Sequence, residues 1–193
     1  MSEDGVRGSD YLGIVRGLAA MVERMSPGPG TARTPERWVA ALLELTEGYQ
    51  HDPAEILATR FDGEGYDQVV VLSGISYVSL CEHHLLPFTG TASVAYLPSE
   101  GQVVGLSKLA RLVECFARRL QVQERMTQQI GEALVEHLKP RGVAVVVHGQ
   151  HSCMAARGIK KPGSVMTTYY TWGAFRDKPE ARAEVLAMMG EAR

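Results

Sequence analysis

Residues 68–98, QVVVLSGISYVSLCEHHLLPFTGTASVAYLP, decide the fold. The first half is rich in β-branched residues, which predicts a strand with a kink near Gly74. Residues 89–98 alternate between apolar and polar side chains and predict a second strand. Between these two strands lies Cys81-Glu82-His83-His84, with a thiol and two imidazoles within four positions. One stretch therefore combines sheet-forming sequence with side chains suited to metal binding or proton transfer.

Two amphipathic helices and two more strands follow this stretch. Apolar residues recur at helical spacing in SKLARLVECFARRL and in QERMTQQIGEALVEHLK, and strands are predicted at 142–147 and 164–175. The order β-β-α-α-β-β predicts an α+β fold, with a mainly antiparallel sheet and both helices on one face. A last helix is predicted in KPEARAEVLAMM.

The chain before this unit is predicted to be helical. Apolar spacing predicts one helix over 11–25, and two Pro-containing start sites, Thr34-Pro35 and Asp52-Pro53, open a second and a third helix. Three regions result, which are a flexible lead at 1–9, an N-terminal helical region at 10–62, and the α+β domain with its C-terminal helix at 63–193.

Composition narrows the function classes. The 193 residues carry a formal net charge of −2, which argues against a nucleic-acid partner. No apolar run reaches the roughly 18 residues that a membrane span needs, so we expect no membrane association. The polar first residues do not resemble a signal peptide, and an odd number of cysteines, three, favours free thiols in a reducing compartment. We therefore expect a cytoplasmic protein.

Cys81 and His84 have a spacing that allows one turn to bring both to a metal ion. Zinc accepts thiolate and imidazole ligands, and catalytic zinc sites keep three protein ligands and one open position. Cys153, at the end of the strand predicted over 142–147, could supply the third ligand. The alternative is that the cysteines are small buried apolar residues and the histidines are hydrogen-bonded core groups.

Two further histidines lie beside these candidate ligands. Neighbouring residues on an extended chain point in opposite directions, so His83 is not expected to share the role of His84. His151 lies two residues before Cys153, and on a strand the two would face the same side. Both imidazoles could transfer protons near neutral pH, or both could be ordinary polar residues near a metal.

Cations and one carboxylate suggest a site for an anionic ligand. Ser107, Lys108 and Arg111 open a helix whose N-terminus could bind a polyphosphate, although Ser107 could equally be a simple N-cap. Arg157 lies in a basic loop that could either bind phosphate or remain solvated. Glu124 could accept two hydrogen bonds from the flat edge of a guanine, or serve only as a favourably placed acid at a helix N-terminus.

The order of these motifs strongly resembles the GTP cyclohydrolase I family. The resemblance runs from about residue 34 to residue 187 and is densest from 79 to 164. The matching blocks are CEHHLLPF, VAYLP, GLSKLARLVE, RRLQVQERMTQQI, GVAVVV and HSCMAARGIKKPGS.

The resemblance implies a role for each matching position. Cys81, His84 and Cys153 correspond to ligands of Zn²⁺, and His83 and His151 correspond to catalytic histidines. The remaining matches correspond to substrate-binding residues: Glu124 at guanine with its neighbour Gln123, and Ser107, Lys108, Arg111, Arg157 and Arg37 at the triphosphate.

The resemblance also implies a fold, an assembly and a reaction. The fold is the tunnelling fold, or T-fold, with the order ββααββ, and the assembly is a homo-oligomer, a decamer with active sites at subunit interfaces. The reaction is hydrolysis of GTP at purine C8 with ring opening, release of formate and recyclisation to 7,8-dihydroneopterin triphosphate. That product belongs to pterin and tetrahydrofolate biosynthesis.

Three segments depart from the family pattern. His148-Gly149-Gln150 stands where an acidic residue and alanine usually precede the catalytic histidine, bulky residues occupy 168–172, and SPGPGTAR (26–33) lacks the usual acidic lead. Two alternatives follow. A divergent member could stop at a C8-hydrated, oxidised or ring-opened formamide nucleotide, or an inactive paralogue could bind nucleotide as a regulator. A zinc-binding nucleic-acid module fits poorly, because no second ligand pair has finger-like spacing.

Overall fold

The computed structural model describes residues 9–99 and 101–190. The predicted flexible lead therefore lies outside the described residues, except for Ser9, where the first helix begins. No helix within the described ranges is long and apolar enough to cross a membrane.

The N-terminal region consists mainly of helices, but a short strand, Arg60–Asp62, lies within the range 10–62 that we expected to be helical. The second helix begins at Thr34, as predicted, ends at Leu45 and is followed by a separate 3-10 turn. In the third helix, the Asp52 carboxylate accepts a hydrogen bond from the Ala54 N–H at 2.8 Å and caps the N-terminus. The bounds are α1 Ser9–Met25, α2 Thr34–Leu45, a 3-10 helix Glu47–Gln50 and α3 Pro53–Leu57.

The remaining elements have the predicted ββααββ order, so the α+β T-fold prediction is confirmed. Three short strands, β1, β4 and β5, and two short helices, α6 and α7, are added to it. The bounds are β1 Arg60–Asp62, β2 Val70–Cys81, β3 Pro87–Leu97, β4 Gln102–Val104, α4 Leu106–Ala117, β5 Leu120–Gln121, α5 Gln123–Leu138, β6 Gly142–His151, α6 Ser152–Ala155, β7 Met166–Gly173, α7 Ala174–Asp177 and α8 Pro179–Met188.

The main sheet has five strands in the order β5-β2-β3-β6-β7, and only the β2–β5 pair is parallel. The predicted kink in β2 is present, because the β2–β3 register shifts between Leu72 and Ile75 and Gly74 has a φ of +72°. Strand β6 is longer than predicted, since its pairing with β3 continues without a shift to the pair Phe88–His151. This extension carries His151 to the end of the sheet where β2 ends.

Helices α4 and α5 pack on one face of this sheet and form the main core with it. Leu109 and Leu112 of α4 and Ile130 of α5 are completely buried there, together with alternate valines of β6, Val143 and Val145 among them. The intervening β6 side chains face a smaller core with α7 and α8. Side chains of β6 therefore alternate strictly between the two faces, which decides which of its histidines face α5.

Candidate metal centre and active site

One cluster of possible metal ligands occurs within the described residues. The ligand atoms of Cys81, His84 and Cys153 all lie within 4.8 Å of one another. The distance from Cys81 Sγ to His84 Nδ1 is 3.6 Å. Zinc–sulfur and zinc–nitrogen bonds at the tetrahedral angle would separate those two atoms by about 3.6 Å. This group could therefore hold a metal ion with little rearrangement, and the Cys2His donor set fits zinc.

A tight turn brings His84 back to Cys81. The carbonyl oxygen of Cys81 accepts hydrogen bonds from the N–H groups of His84 and Leu85, and Leu85 has a φ of +52°. The Glu82 N–H donates to the Gln121 carbonyl at 3.0 Å, which ties the turn to β5. Hydrogen bonds within this turn thus set the positions of Cys81 and His84 relative to each other.

Cys153 does not lie on a strand. Strand β6 ends at His151, and Cys153 lies in the four-residue helix α6. The prediction that His151 and Cys153 face the same side of one strand is therefore wrong. The turn into α6 nevertheless brings the thiol to Cys81. Burial and the neighbouring Cys81 thiol raise the pKa of Cys153, whereas Arg157 lowers it. A divalent cation would oppose the first two effects by favouring the thiolate.

His83 lies on the exposed side of the same turn. Residues 82–84 form a turn and not an extended segment. His83 and His84 therefore do not point in opposite directions in the way that neighbouring residues of an extended chain would. Its Nδ1 lies 3.8 Å from Cys81 Sγ, and its Nε2 lies 3.8 Å from a Glu82 carboxylate oxygen. The side chain is 63% exposed, which leaves it free to approach a substrate.

The Glu82 carboxylate anchors the turn from outside. It forms a charge-assisted hydrogen bond with Arg125, which lowers the pKa of Glu82. Arg125 also donates to the Gln121 side-chain oxygen at 3.0 Å and to the Leu120 carbonyl. The cysteine–histidine turn is therefore fastened to α5 by a side-chain network that the sequence analysis did not identify.

His151 is packed between an aromatic ring and a buried amide. Its imidazole stacks on Phe88 with ring centroids 4.5 Å apart and an interplanar angle of 6°. Its Nε2 lies 3.0 Å from the Gln123 side-chain oxygen. Burial lowers the pKa of His151, and the Glu124 carboxylate partly offsets this effect. Stacking and the hydrogen bond thus hold the ring in place, and burial favours its neutral form.

Glu124 and Gln123, adjacent in sequence, have different environments. Glu124 is exposed and lines an open cavity of about 330 Å³ between α5 and β7. Gln123 is completely buried and bonds to β6, β7 and His151. The Glu124 side chain is therefore open to a ligand in this cavity, whereas the Gln123 side chain is not.

The candidate phosphate-binding residues are not all brought to the metal cluster. Arg157 follows Cys153 by four residues and lowers the pKa of its thiol. The N-terminus of α4 follows β4, whereas its C-terminus leads to β5, which pairs with Leu80 and Cys81. About ten residues of helix, or roughly 15 Å, therefore separate Ser107 from the end of α4 nearest the cluster. Lys108 lies beside Ser107, whereas Arg111 lies near the middle of α4, roughly 9 Å along the helix from that end. Arg37 is exposed on α2.

Comparison with known proteins identifies the family. Residues 14–190 match the family model described as GTP cyclohydrolase I. The chain is 48% identical over 186 residues to GTP cyclohydrolase 1 of Rhodopirellula baltica, covering 95% of this chain and 80% of that protein. It is 46% identical over 188 residues to GTP cyclohydrolase 1 of Nitrosospira multiformis, covering 97% and 95%. The chain belongs to the GTP cyclohydrolase I family.

One further relative carries the same name, and one solved structure is only distantly similar. GTP cyclohydrolase 1 of a Synechococcus species is 49% identical over 176 residues, covering 91% of this chain and 75% of that protein. The second is the crystal structure of the archaeosine synthase QueF-Like in the apo form. The match covers 56% of this chain and 96% of that chain, with 18% sequence identity and a TM-score of 0.46.

Two of the three departures from the GTP cyclohydrolase I pattern, at 148–150 and 168–172, lie on strands beside the site. His148 is on the face of β6 opposite His151, and its Nδ1 is 2.9 Å from the Thr167 hydroxyl. Tyr170 packs against α5 at Gly131, and Tyr169 is 67% exposed; both line the cavity beside Glu124. The residue at 148 therefore does not orient His151 in this chain, and Gln123 contacts His151 in its place.

Proposed function

We propose that this member of the GTP cyclohydrolase I family converts GTP and water into 7,8-dihydroneopterin triphosphate and formate. The main support is the convergence of Cys81, His84 and Cys153 from two distant parts of the chain, with His83 and His151 beside them. Family membership independently supports GTP cyclohydrolase activity.

The three clustered residues are proposed to hold Zn²⁺. Their thiolate and imidazole donors suit zinc, and three protein ligands would leave one position open. When bound, the ion would supply a Lewis acid that lowers the pKa of a water molecule. Metal content measured on purified protein, with and without Cys153→Ser, tests this assignment.

The remaining groups are proposed to bind the base and move protons. Glu124 accepts hydrogen bonds from the guanine N1–H and 2-amino group, which holds the purine with C8 toward the metal cluster. His151 donates a proton to the purine imidazole ring as it opens. His83, which is exposed and on the same turn as His84, serves the later proton transfers of ribose isomerisation and ring closure.

A homo-oligomer, a decamer in the family, is proposed to complete the triphosphate site. The distance along α4 argues that Ser107, Lys108 and Arg111 serve the metal cluster of a neighbouring subunit. Strand β7 is an edge of the sheet, and the two-residue strand β5 leaves most of β2 uncovered at the other edge. Open strand edges of this kind favour pairing with another chain. Under this proposal Arg157 and Arg37 complete the set of phosphate contacts.

Mass analysis of products tests the reaction directly. Zinc-loaded protein is incubated with GTP, and formate and the nucleotide product are followed together. One formate per dihydroneopterin triphosphate supports the proposal. A product that retains C8, with no formate, would identify an enzyme that stops at a hydrated, oxidised or ring-opened nucleotide. Binding of GTP by metal-loaded protein without turnover would indicate a regulatory paralogue.

Subunit complementation tests the shared site. Lys108→Ala and Cys153→Ser are each expected to reduce activity, because one removes a phosphate contact and the other a metal ligand. If active sites are shared, mixing the two variants and allowing subunits to exchange restores some sites that carry neither change. Recovery of activity supports interface sites, and its absence despite demonstrated exchange refutes them.

A further inference from the structure

We propose that Gln123 is a positioning residue that holds the His151 imidazole with its proton on Nε2 and its lone pair on Nδ1. The proposal deepens the function proposed above and rests on it for the role of His151. It replaces the expectation that the Gln123 side chain contacts substrate.

The surroundings of Gln123 fix the orientation of its amide. The side-chain nitrogen lies 2.9 Å from the Val147 carbonyl oxygen and 3.0 Å from the Met166 carbonyl oxygen. Both partners can only accept, so both must face the NH₂ group. The opposite orientation would place the amide oxygen against two carbonyl oxygens. The amide oxygen is therefore the atom that faces His151.

This orientation determines the tautomer of His151. The Gln123 oxygen can only accept, and it lies 3.0 Å from His151 Nε2, so Nε2 carries the proton and donates it. In the neutral ring, Nδ1 then holds the lone pair. Stacking on Phe88 keeps the ring plane from turning away. Nδ1 is consequently the nitrogen that takes up a proton from the attacking water and then passes it to the purine ring as that ring opens.

Gly149 makes room for this contact. A Cβ at Gly149 would lie 2.2 Å from the Gln123 amide oxygen and 2.8 Å from Tyr77 Oη. Real Cβ atoms do not approach other atoms so closely, so alanine at 149 would push the amide oxygen away from His151. The glycine and the glutamine therefore act as a pair beneath the imidazole.

The hydrogen-bonding capacity of Gln123 leaves little for a substrate. Both N–H groups are used by carbonyls, Thr168 Oγ1 lies 3.1 Å from the same nitrogen, and the oxygen accepts from His151. The side chain has no exposed surface. A direct contact with guanine would require these bonds to break.

Two variants test the positioning role. Gln123→Met keeps the side-chain length and removes all four hydrogen bonds. Gly149→Ala keeps the amide and displaces its oxygen. Tyr96→Phe is the control, because it removes one buried hydroxyl that accepts from the Val104 N–H, far from His151.

The first readout is the tautomer itself. Nitrogen NMR signals are recorded from full-length protein labelled with ¹⁵N-histidine. The signals of His151 are assigned by their loss in His151→Asn. Wild type is expected to show a protonated Nε2 and an unprotonated Nδ1. Gln123→Met and Gly149→Ala are expected to shift both nitrogens toward a mixture of tautomers, and Tyr96→Phe is expected to leave them unchanged.

The second readout is the kinetics of formate release. Both variants are expected to lower kcat about tenfold or more with KM changed little, by analogy with the hydrogen-bond partners of metal-ligating histidines, whose loss has effects of this order. Their zinc content should match that of wild type. Unchanged tautomers, a rise in KM at constant kcat, or zinc loss in step with activity would each overturn the proposal. If wild type releases no formate, the proposed function fails, while the nitrogen signals still decide the role of Gln123.

Discussion

Substituting Gly131 by alanine provides a test of how this chain accommodates its bulky β7 strand. Gly131 lies in the middle of α5, where alanine would normally stabilise an exposed helix by up to about 1 kcal/mol. Here the added Cβ would meet the Tyr170 ring, at 2.1 Å from Cδ1 and 2.5 Å from Cε1. Ordinary carbon contacts are about 3.5 Å, so the ring would have to move by about 1.4 Å. The expected sign of the substitution is therefore reversed.

The magnitude follows from two opposing effects. Overpacking at a well-packed position costs about 1–3 kcal/mol, and a conflict with two ring carbons belongs at the upper end of that range. Subtracting the gain in helix propensity leaves a net loss of about 2 kcal/mol in the free energy of unfolding for Gly131→Ala. In a chain of 193 residues this corresponds to a fall in Tm of about 4–8 °C.

Urea denaturation of wild type and four variants, Gly131→Ala, Gly17→Ala, Tyr170→Ala and the double variant of Gly131 and Tyr170, measures this effect. Gly17→Ala on α1 is the matched control, because among the described residues no atom beyond its chain neighbours and its own helix backbone lies within 4 Å of the added Cβ, and it is expected to be neutral or mildly stabilising. In a Tyr170→Ala background, Gly131→Ala should also become stabilising, which gives a coupling energy of about 3 kcal/mol. If Gly131→Ala behaves like Gly17→Ala in the wild-type background, the inferred packing of Tyr170 against α5 is wrong.

Three further predictions concern the site. Cys153→Ser is expected to lower bound zinc well below one ion per chain in elemental analysis. Cys115→Ser, at a buried thiol away from the cluster, should retain the zinc. Equal zinc in the two variants would contradict the assigned ligand set. Glu124→Gln removes a charged acceptor worth about 1.5–3 kcal/mol, so kcat/KM for GTP should fall about tenfold or more in steady-state assays, and a wild-type value would exclude Glu124 from guanine binding. Arg125→Met frees the Glu82 carboxylate and should weaken zinc binding up to about tenfold in a chelator competition, with unchanged affinity as the contrary result.

The sequence alone determined the elements and the local part of the metal site. Periodicity located α4 and α5, and β-branched residues located β2, because helical and extended chains repeat their buried positions at different spacings. The pair Cys81 and His84 was also predictable, since a single hydrogen-bonded turn sets their separation. The ββααββ order followed from the order of these elements, and the resemblance to the GTP cyclohydrolase I family implied the T-fold.

Only the tertiary structure decided which distant residues meet. Cys153 reaches Cys81 because β6 pairs with β3 up to His151 and then turns into α6, and strand propensity alone ended β6 too early. The amide of Gln123 contacts His151 because α5 packs on β6 and β7, a contact that no local spacing encodes. The distance of Ser107 from the cluster likewise depends on the direction in which α4 crosses the sheet. Spacing along a chain specifies neighbours within a turn, whereas the packing of elements specifies every other contact in the site.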